Sequence, residues 1–99
     1  MKVKDLRNGD IIAVETRWLG RPDVYYVVME NVSSYKRVAV AIEGNVNCEP
    51  LPSGWFNLSD ENDDLPYGTF KVLRPKWFGN AFRGDFDNEE EYEVIFSRE

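Results

Sequence analysis

Short apolar segments separated by Gly, Asn and Pro turns restrict this chain to a β fold. No window of 10–12 residues carries the apolar period of a helix. Alternating or concentrated β-branched and aromatic residues mark strands instead, at residues 11–18, 24–30, 37–43, 69–74 and 91–97. The pattern predicts a single all-β domain over residues 1–99, a small β-barrel or a strongly bent sheet of five to six short strands.

The alternation also assigns side chains to faces of the predicted strands. One face of the first strand is expected to carry Ile12, Val14, Thr16 and Trp18. One face of the last strand is expected to carry Tyr92, Val94 and Phe96. The strand at 24–30 is apolar on both sides, so we expect both of its faces to be covered.

The central stretch 54–65 joins two strand-like blocks through an acidic segment bracketed by Leu58 and Leu65. Asp and Asn side chains accept hydrogen bonds from nearby backbone N–H groups. We therefore predict a tight turn whose ends are pinned in the core, with one helical turn beginning at Ser59 as an option.

Composition narrows the functional class. The aromatic content of 14% argues against disorder, and the net charge of −6 argues against bulk nucleic-acid binding. No apolar run reaches the ~18 residues of a membrane span, and the first residues lack an apolar signal core. The single cysteine, Cys48, excludes an internal disulfide. We expect a protein of a reducing cytosol that does not enter a membrane.

The chain contains no histidine. This removes Ser-His-Asp and Cys-His catalysis and the usual zinc ligand sets. Cys48 is followed by Glu49, whose charge disfavours a thiolate. The sequence therefore predicts no catalytic residue, no cofactor and no enzymatic activity.

Two acidic runs have the 1-3-5 spacing of a calcium-binding loop, beginning at Asp60 and at Asp85. Both lack the glycine at position 6, where Leu65 and Glu90 stand, and the acid at position 12. We predict no metal site and interpret the runs as a turn and a solvated acidic loop.

The segment 74–86 is the strongest binding candidate in the sequence, because aromatic and Arg side chains favour interface hot spots and stack on nucleobases. The candidate binding residues are Arg74, Lys76, Trp77, Phe78, Phe82 and Arg83. The structural alternative is that these aromatic side chains fold back and cap the core.

The acidic segments 60–64 and 85–93 support a second hypothesis, imitation of a phosphate backbone.

The chain resembles a group of small uncharacterised proteins encoded by phages and prophages of Gram-positive bacteria. The resemblance rests on the opening 3–10, on Gly-Trp-Phe-Asn-Leu at 54–58, on Asn-Asp-Asp-Leu at 62–65 and on Phe70 to Lys76. It implies a cytoplasmic protein with a barrel of the Src-homology-3 type. The strand pattern itself predicts one long loop after the fifth strand. It implies no activity and no site residues, and the segment 76–88 departs from the group.

From these features we expect a non-enzymatic binding protein that engages a host or phage protein, with inhibition of a host defence system as one such role. One alternative is sequestration of a small nucleotide-like ligand, stacked on Trp55, Trp77 or Tyr67 and paired with Arg74 or Arg83. Another is a structural role in a phage particle. The sequence leaves the partner, the ligand and the oligomeric state open.

Overall fold

A computed structural model describes residues 1–31, 36–44, 55–58, 60–76 and 90–98. A 3₁₀ turn at Val3–Asp5 precedes six strands, which pair in the antiparallel order β4-β3-β2-β1-β5-β6. The strands are β1 Ile11–Val14, β2 Val24–Asn31, β3 Lys36–Gly44, β4 Trp55–Asn57, β5 Thr69–Pro75 and β6 Tyr92–Ser97. The all-β prediction is confirmed.

The sheet is open. Its ladder runs from β4 at one edge to β6 at the other, so closure into a barrel is not established. One residue is extra at each of three irregularities in the strand pairing: Ile42 opposite β2, Phe70 opposite β1 and Ile95 opposite β5. Each such bulge bends its strand and increases the local twist.

Apolar side chains pack on both faces of this sheet. The larger cluster includes Ile12, Tyr26 and Val72, and the smaller one includes Ile11 and Leu73. Since successive residues of a strand point to opposite faces, neighbours such as Ile11 and Ile12 supply different clusters. The prediction that both faces of the second strand are covered holds for Val24 to Val28, whereas Met29 is 43% exposed.

Two strand predictions differ from the structure. The first strand ends at Val14, so Thr16 and Trp18 lie beyond it. In β6, Tyr92 packs in the smaller cluster and Phe96 against the larger one, while Val94 is exposed. The bulge at Ile95 explains the second difference, because an extra residue interrupts strict alternation.

Within the stretch 54–65, Trp55–Asn57 forms strand β4, which the predicted turn did not anticipate. The acidic segment after Leu58 is a tight turn, as predicted. The Asp60 carboxylate accepts a bond from the Asn62 N–H at 2.9 Å. The backbone of this segment also pairs with the 3₁₀ turn, where the Val3 N–H donates to the Asp63 carbonyl at 3.0 Å. Leu58 is buried and Leu65 packs against the larger cluster, so both ends are pinned. Ser59, the proposed helix start, lies outside the described residues.

The long connection between β5 and β6 covers residues 76–91, of which 77–89 lie outside the described residues. Among the residues that the structure describes, no helix has the length and apolar character needed to cross a membrane.

Gly68 provides the first prediction. It has a φ of 84°, and a Cβ there would lie 2.7 Å from the Glu15 carbonyl oxygen. Gly20 has a similar φ of 68° but nothing within 4 Å, which makes it a matched control. We expect Gly20→Ala to destabilise the fold by about 1 kcal/mol through backbone strain alone. Gly68→Ala should lose about 1–3 kcal/mol more, because the backbone must shift. Urea denaturation measures both, and equal losses would show that the close approach is unimportant.

Candidate binding site

The structure places two of the six predicted binding residues. Arg74 lies in β5, and Lys76 follows that strand, exposed, with its N–H donating to the Glu91 carbonyl at 2.8 Å. Trp77, Phe78, Phe82 and Arg83 lie outside the described residues. The aromatic-basic segment as a binding site therefore stays a prediction.

Arg74 is held in a partly buried ion pair with Asp10, whose carboxylate is buried. Its Nε and Nη2 donate to the two Asp10 carboxylate oxygens, each at 3.0 Å, and Nη2 also approaches the Asp5 carbonyl at 3.3 Å. The Asp10 carboxylate accepts a further bond from the Arg7 N–H at 2.8 Å. The hydrogen bonds that Arg74 donates to Asp10 raise the pKa of Arg74 above its ordinary value. This geometry gives Arg74 a structural role.

A cavity of about 470 Å³ lies elsewhere, beyond the last residue of β1. Met1 and three further stretches line it: the chain leaving β1, the turn that leads into β5, and the end of β6 together with Arg98. The lining residues that matter below are Glu15, Trp18, Asp64, Tyr67, Phe96 and Arg98. A cavity of this size falls within the range of small-molecule and side-chain pockets.

Two exposed aromatic side chains line the cavity. Trp18 is 88% exposed and Tyr67 is 93% exposed. Trp18 also has a φ of 48°, the left-handed region that L-residues with bulky side chains rarely adopt. We call Trp18 and Tyr67 the aromatic rim.

Asp23 organises the loop that carries Trp18. Its buried carboxylate accepts bonds from the Thr16 N–H at 2.7 Å, from the Thr16 hydroxyl and from Arg17 Nε at 3.3 Å. The Asp23 N–H in turn donates to the Val14 carbonyl at 3.0 Å. The Thr16 N–H is therefore bonded to a side chain instead of a neighbouring strand, which explains why β1 ends early and Trp18 is not in the core.

These contacts determine the ionisation of Asp23. Burial by itself raises the pKa of a carboxyl group, but the bonds from Thr16 and Arg17 outweigh it and lower the pKa of Asp23 below 3.8. The pKa of nearby Tyr26 is shifted in the opposite direction, upward. Burial, and then the Asp23 charge, raise the pKa of its phenol. Asp23 is therefore a carboxylate under all ordinary conditions.

Ion pairs lie along the inner wall and the edge of the cavity. Arg98 Nη2 donates to Glu15 Oε2 at 3.2 Å, and the Arg98 guanidinium lies 5.1 Å from the centre of the Phe70 ring. At the edge, Lys2 Nζ donates to Asp64 Oδ1 at 2.6 Å. This hydrogen bond lowers the pKa of Asp64 and raises the pKa of Lys2. Both cations already have carboxylate partners.

Sequence reasoning missed the aromatic rim. Trp18 was assigned to a strand face, and Tyr67 appeared only as one option for stacking on a nucleotide. A local signal existed for both, since Trp18 precedes the Leu-Gly of a hairpin loop and Tyr67 lies between Pro66 and Gly68, the residues of a turn. An aromatic residue at the tip of a turn has few neighbours to bury it.

Comparisons with family models, curated proteins and solved structures return no match for this chain. The phage resemblance and the Src-homology-3 type therefore stay predictions. In the part of the chain that the structure describes, no three His, Cys, Asp or Glu side chains are grouped to hold a metal ion.

Arg74 provides the second prediction. Arg74→Ala leaves the Asp10 carboxylate buried without its charge partner and should destabilise the fold by about 3 kcal/mol. Arg74→Lys should recover only part of this, because an ammonium cannot reproduce the two parallel bonds. Lys2→Ala, which breaks the exposed pair with Asp64, is the control and should change stability little. Chemical denaturation separates the three variants, and an Arg74→Ala protein as stable as wild type would refute the structural role.

Asp23 provides the third prediction, a pH dependence. Because its folded-state pKa is lowered, its stabilising contribution is complete above the ordinary carboxyl pKa, about 4. The contribution disappears as the pH falls through the lower folded-state value. The difference in unfolding free energy between wild type and Asp23→Asn should therefore be constant near neutral pH and shrink below pH ~4. Urea denaturation at a series of pH values tests this, and a difference that does not change with pH would contradict it.

Proposed function

We propose that this protein is a non-enzymatic binding protein that engages a partner protein through the aromatic rim. The observation that carries the proposal is Trp18, which is 88% exposed on a left-handed backbone beside a cavity. Large exposed aromatic side chains next to a concavity are typical of interface hot spots.

The energetics of Trp18 support this. The left-handed conformation costs a non-glycine residue about 1–2 kcal/mol. Exposure of most of the indole also gives up the free energy that its burial in a core would provide. The loop does not relax, because buried Asp23 holds Thr16 and Arg17. Strain maintained by surrounding structure occurs preferentially at functional sites.

The resemblance to phage proteins indicates where the partner protein comes from. If the resemblance holds, the partner is a host or phage protein, and inhibition of a host defence system is the role we favour. The small size of the chain and its exposed rim suit a protein that acts by occupying a surface on its partner.

Sequestration of a nucleotide-like ligand is the second candidate, supported by the volume of the cavity and by Tyr67 in its lining. A phosphate there would need a cation. Arg98 is paired with Glu15, Lys2 is paired with Asp64, and the α-ammonium of Met1, a lining residue, interacts with the same Asp64 carboxylate. The charges of the cavity therefore favour the protein partner.

A capture experiment supplies the fourth prediction. Tagged wild-type protein should retain a partner from a Gram-positive bacterial lysate, whereas Trp18→Asn combined with Tyr67→Ala should lose it. Asn tolerates a left-handed backbone, so the variant should be at least as stable as wild type. Val94→Ala is the matched control, because Val94 is 54% exposed and lies in β6 away from the cavity lining.

Native mass spectrometry of the same material separates the alternatives. A partner retained equally by the rim variant and by the control would contradict the proposal. A bound mass of a few hundred daltons without a protein would favour sequestration. Large symmetric assemblies of the chain alone would favour a particle component.

A further inference from the structure

We propose that the cavity receives an arginine side chain from a basic surface of the partner. This inference rests on the proposed function, since it names the chemistry of the group that the rim contacts. Three observations support it: the acidic residues near the cavity, the aromatic side chains that line it, and a similar contact of Arg98 with an aromatic ring and a carboxylate.

Four exposed carboxylates, Asp60, Glu61, Asp63 and Asp64, lie within five consecutive positions, and the last of them, Asp64, lines the cavity. Three cations lie in this region. Lys2 and Arg98 have carboxylate partners at 2.6 and 3.2 Å, and the α-ammonium of Met1, which also lines the cavity, interacts with the Asp64 carboxylate. The field of such a surface attracts cations and repels phosphates and carboxylates. The acidic turn therefore favours a cationic ligand at the aromatic rim.

The aromatic rim narrows the choice of cation. Trp is the strongest cation–π partner among the side chains, and Tyr also serves. A guanidinium is planar and weakly hydrated, so it stacks on aromatic rings while its edge donates to a carboxylate, which an ammonium does less well. Trp18, Tyr67 and Asp64 together offer the two kinds of contact that an arginine uses.

The protein shows the same arrangement internally. Arg98 lies over the Phe70 ring at 5.1 Å while its Nη2 donates to Glu15 at 3.2 Å. An incoming arginine between the rim and Asp64 would repeat this combination of an aromatic ring and a carboxylate. Asp64 would have to share its carboxylate with Lys2, which its two oxygens permit.

A titration followed by amide NMR tests the inference, with the tripeptide Ac-Gly-Arg-Gly-NH₂ as the probe. The same peptide with citrulline replacing arginine keeps the shape and removes the charge. We expect the arginine peptide to shift the amide signals of residues 15–18, 64–69 and 96–98, the stretches that line the cavity. The citrulline peptide should bind at least about fivefold more weakly, since it lacks the cation.

Variants locate the binding. Trp18→Asn should weaken the arginine peptide about fivefold, and Asp64→Asn should weaken it by a similar factor. Glu30→Gln makes the same change in net charge at an exposed position of β2, and it should leave binding unaltered. Equal weakening by Asp64→Asn and Glu30→Gln would mean general attraction to an acidic protein and would overturn the inference.

Two other outcomes would also overturn it: equal binding of the arginine and citrulline peptides, or amide shifts caused by adenosine monophosphate but not by the arginine peptide. These failures are distinct from failure of the proposed function. A partner that is captured through Trp18 and Tyr67, together with a negative peptide titration, would leave the binding role intact and reject only the arginine.

Discussion

The ion pair between the buried Asp10 carboxylate and Arg74 is the interaction on which the rest of the fold depends. The Asp10 carboxylate accepts hydrogen bonds from Arg74 of β5 and from the Arg7 N–H of the preceding turn. The Asp10 backbone carbonyl accepts the Val28 N–H of β2 at 2.9 Å. One residue thereby connects the strands on both sides of β1 immediately before β1 begins. Since Ile11 and Ile12 supply opposite clusters, a slip of one residue would exchange the two faces. Asp10 opposes that slip.

Asp23 has a related role at the other end of β1, but with a different consequence. It binds the backbone and side chain of Thr16 and so ends the strand after Val14. The loop beyond it cannot pair with a neighbouring strand, and it presents Trp18 to solvent. One buried carboxylate thus sets the register of the sheet, and the other sets the geometry of the candidate site.

Sequence patterns predicted the β class, the approximate strands and the pinned acidic turn, because alternation and turn residues are local properties. The pattern could not show where β1 ends, since that depends on a carboxylate seven positions from Thr16. It also could not show the bulge at Ile95 that places Tyr92 and Phe96 in different clusters. The sequence also could not show that Arg74 pairs with Asp10, because the two residues lie 64 positions apart. An isolated basic residue beside aromatic residues looks the same in sequence whether it is paired or not.

The candidate site lies where the ordered sheet gives way to turns, and the two are physically coupled. Gly68 packs against the Glu15 carbonyl, and its own carbonyl accepts the Glu15 N–H at 2.8 Å. This close approach joins the turn that carries Tyr67 to the loop that carries Trp18. The position of Glu15 in turn determines where Arg98 lies, and so the charge along the inner wall of the cavity. Fixing the backbone segments that carry both aromatic side chains reduces the entropy lost when a partner binds, which gives a physical reason for the molecule to maintain a strained, exposed tryptophan.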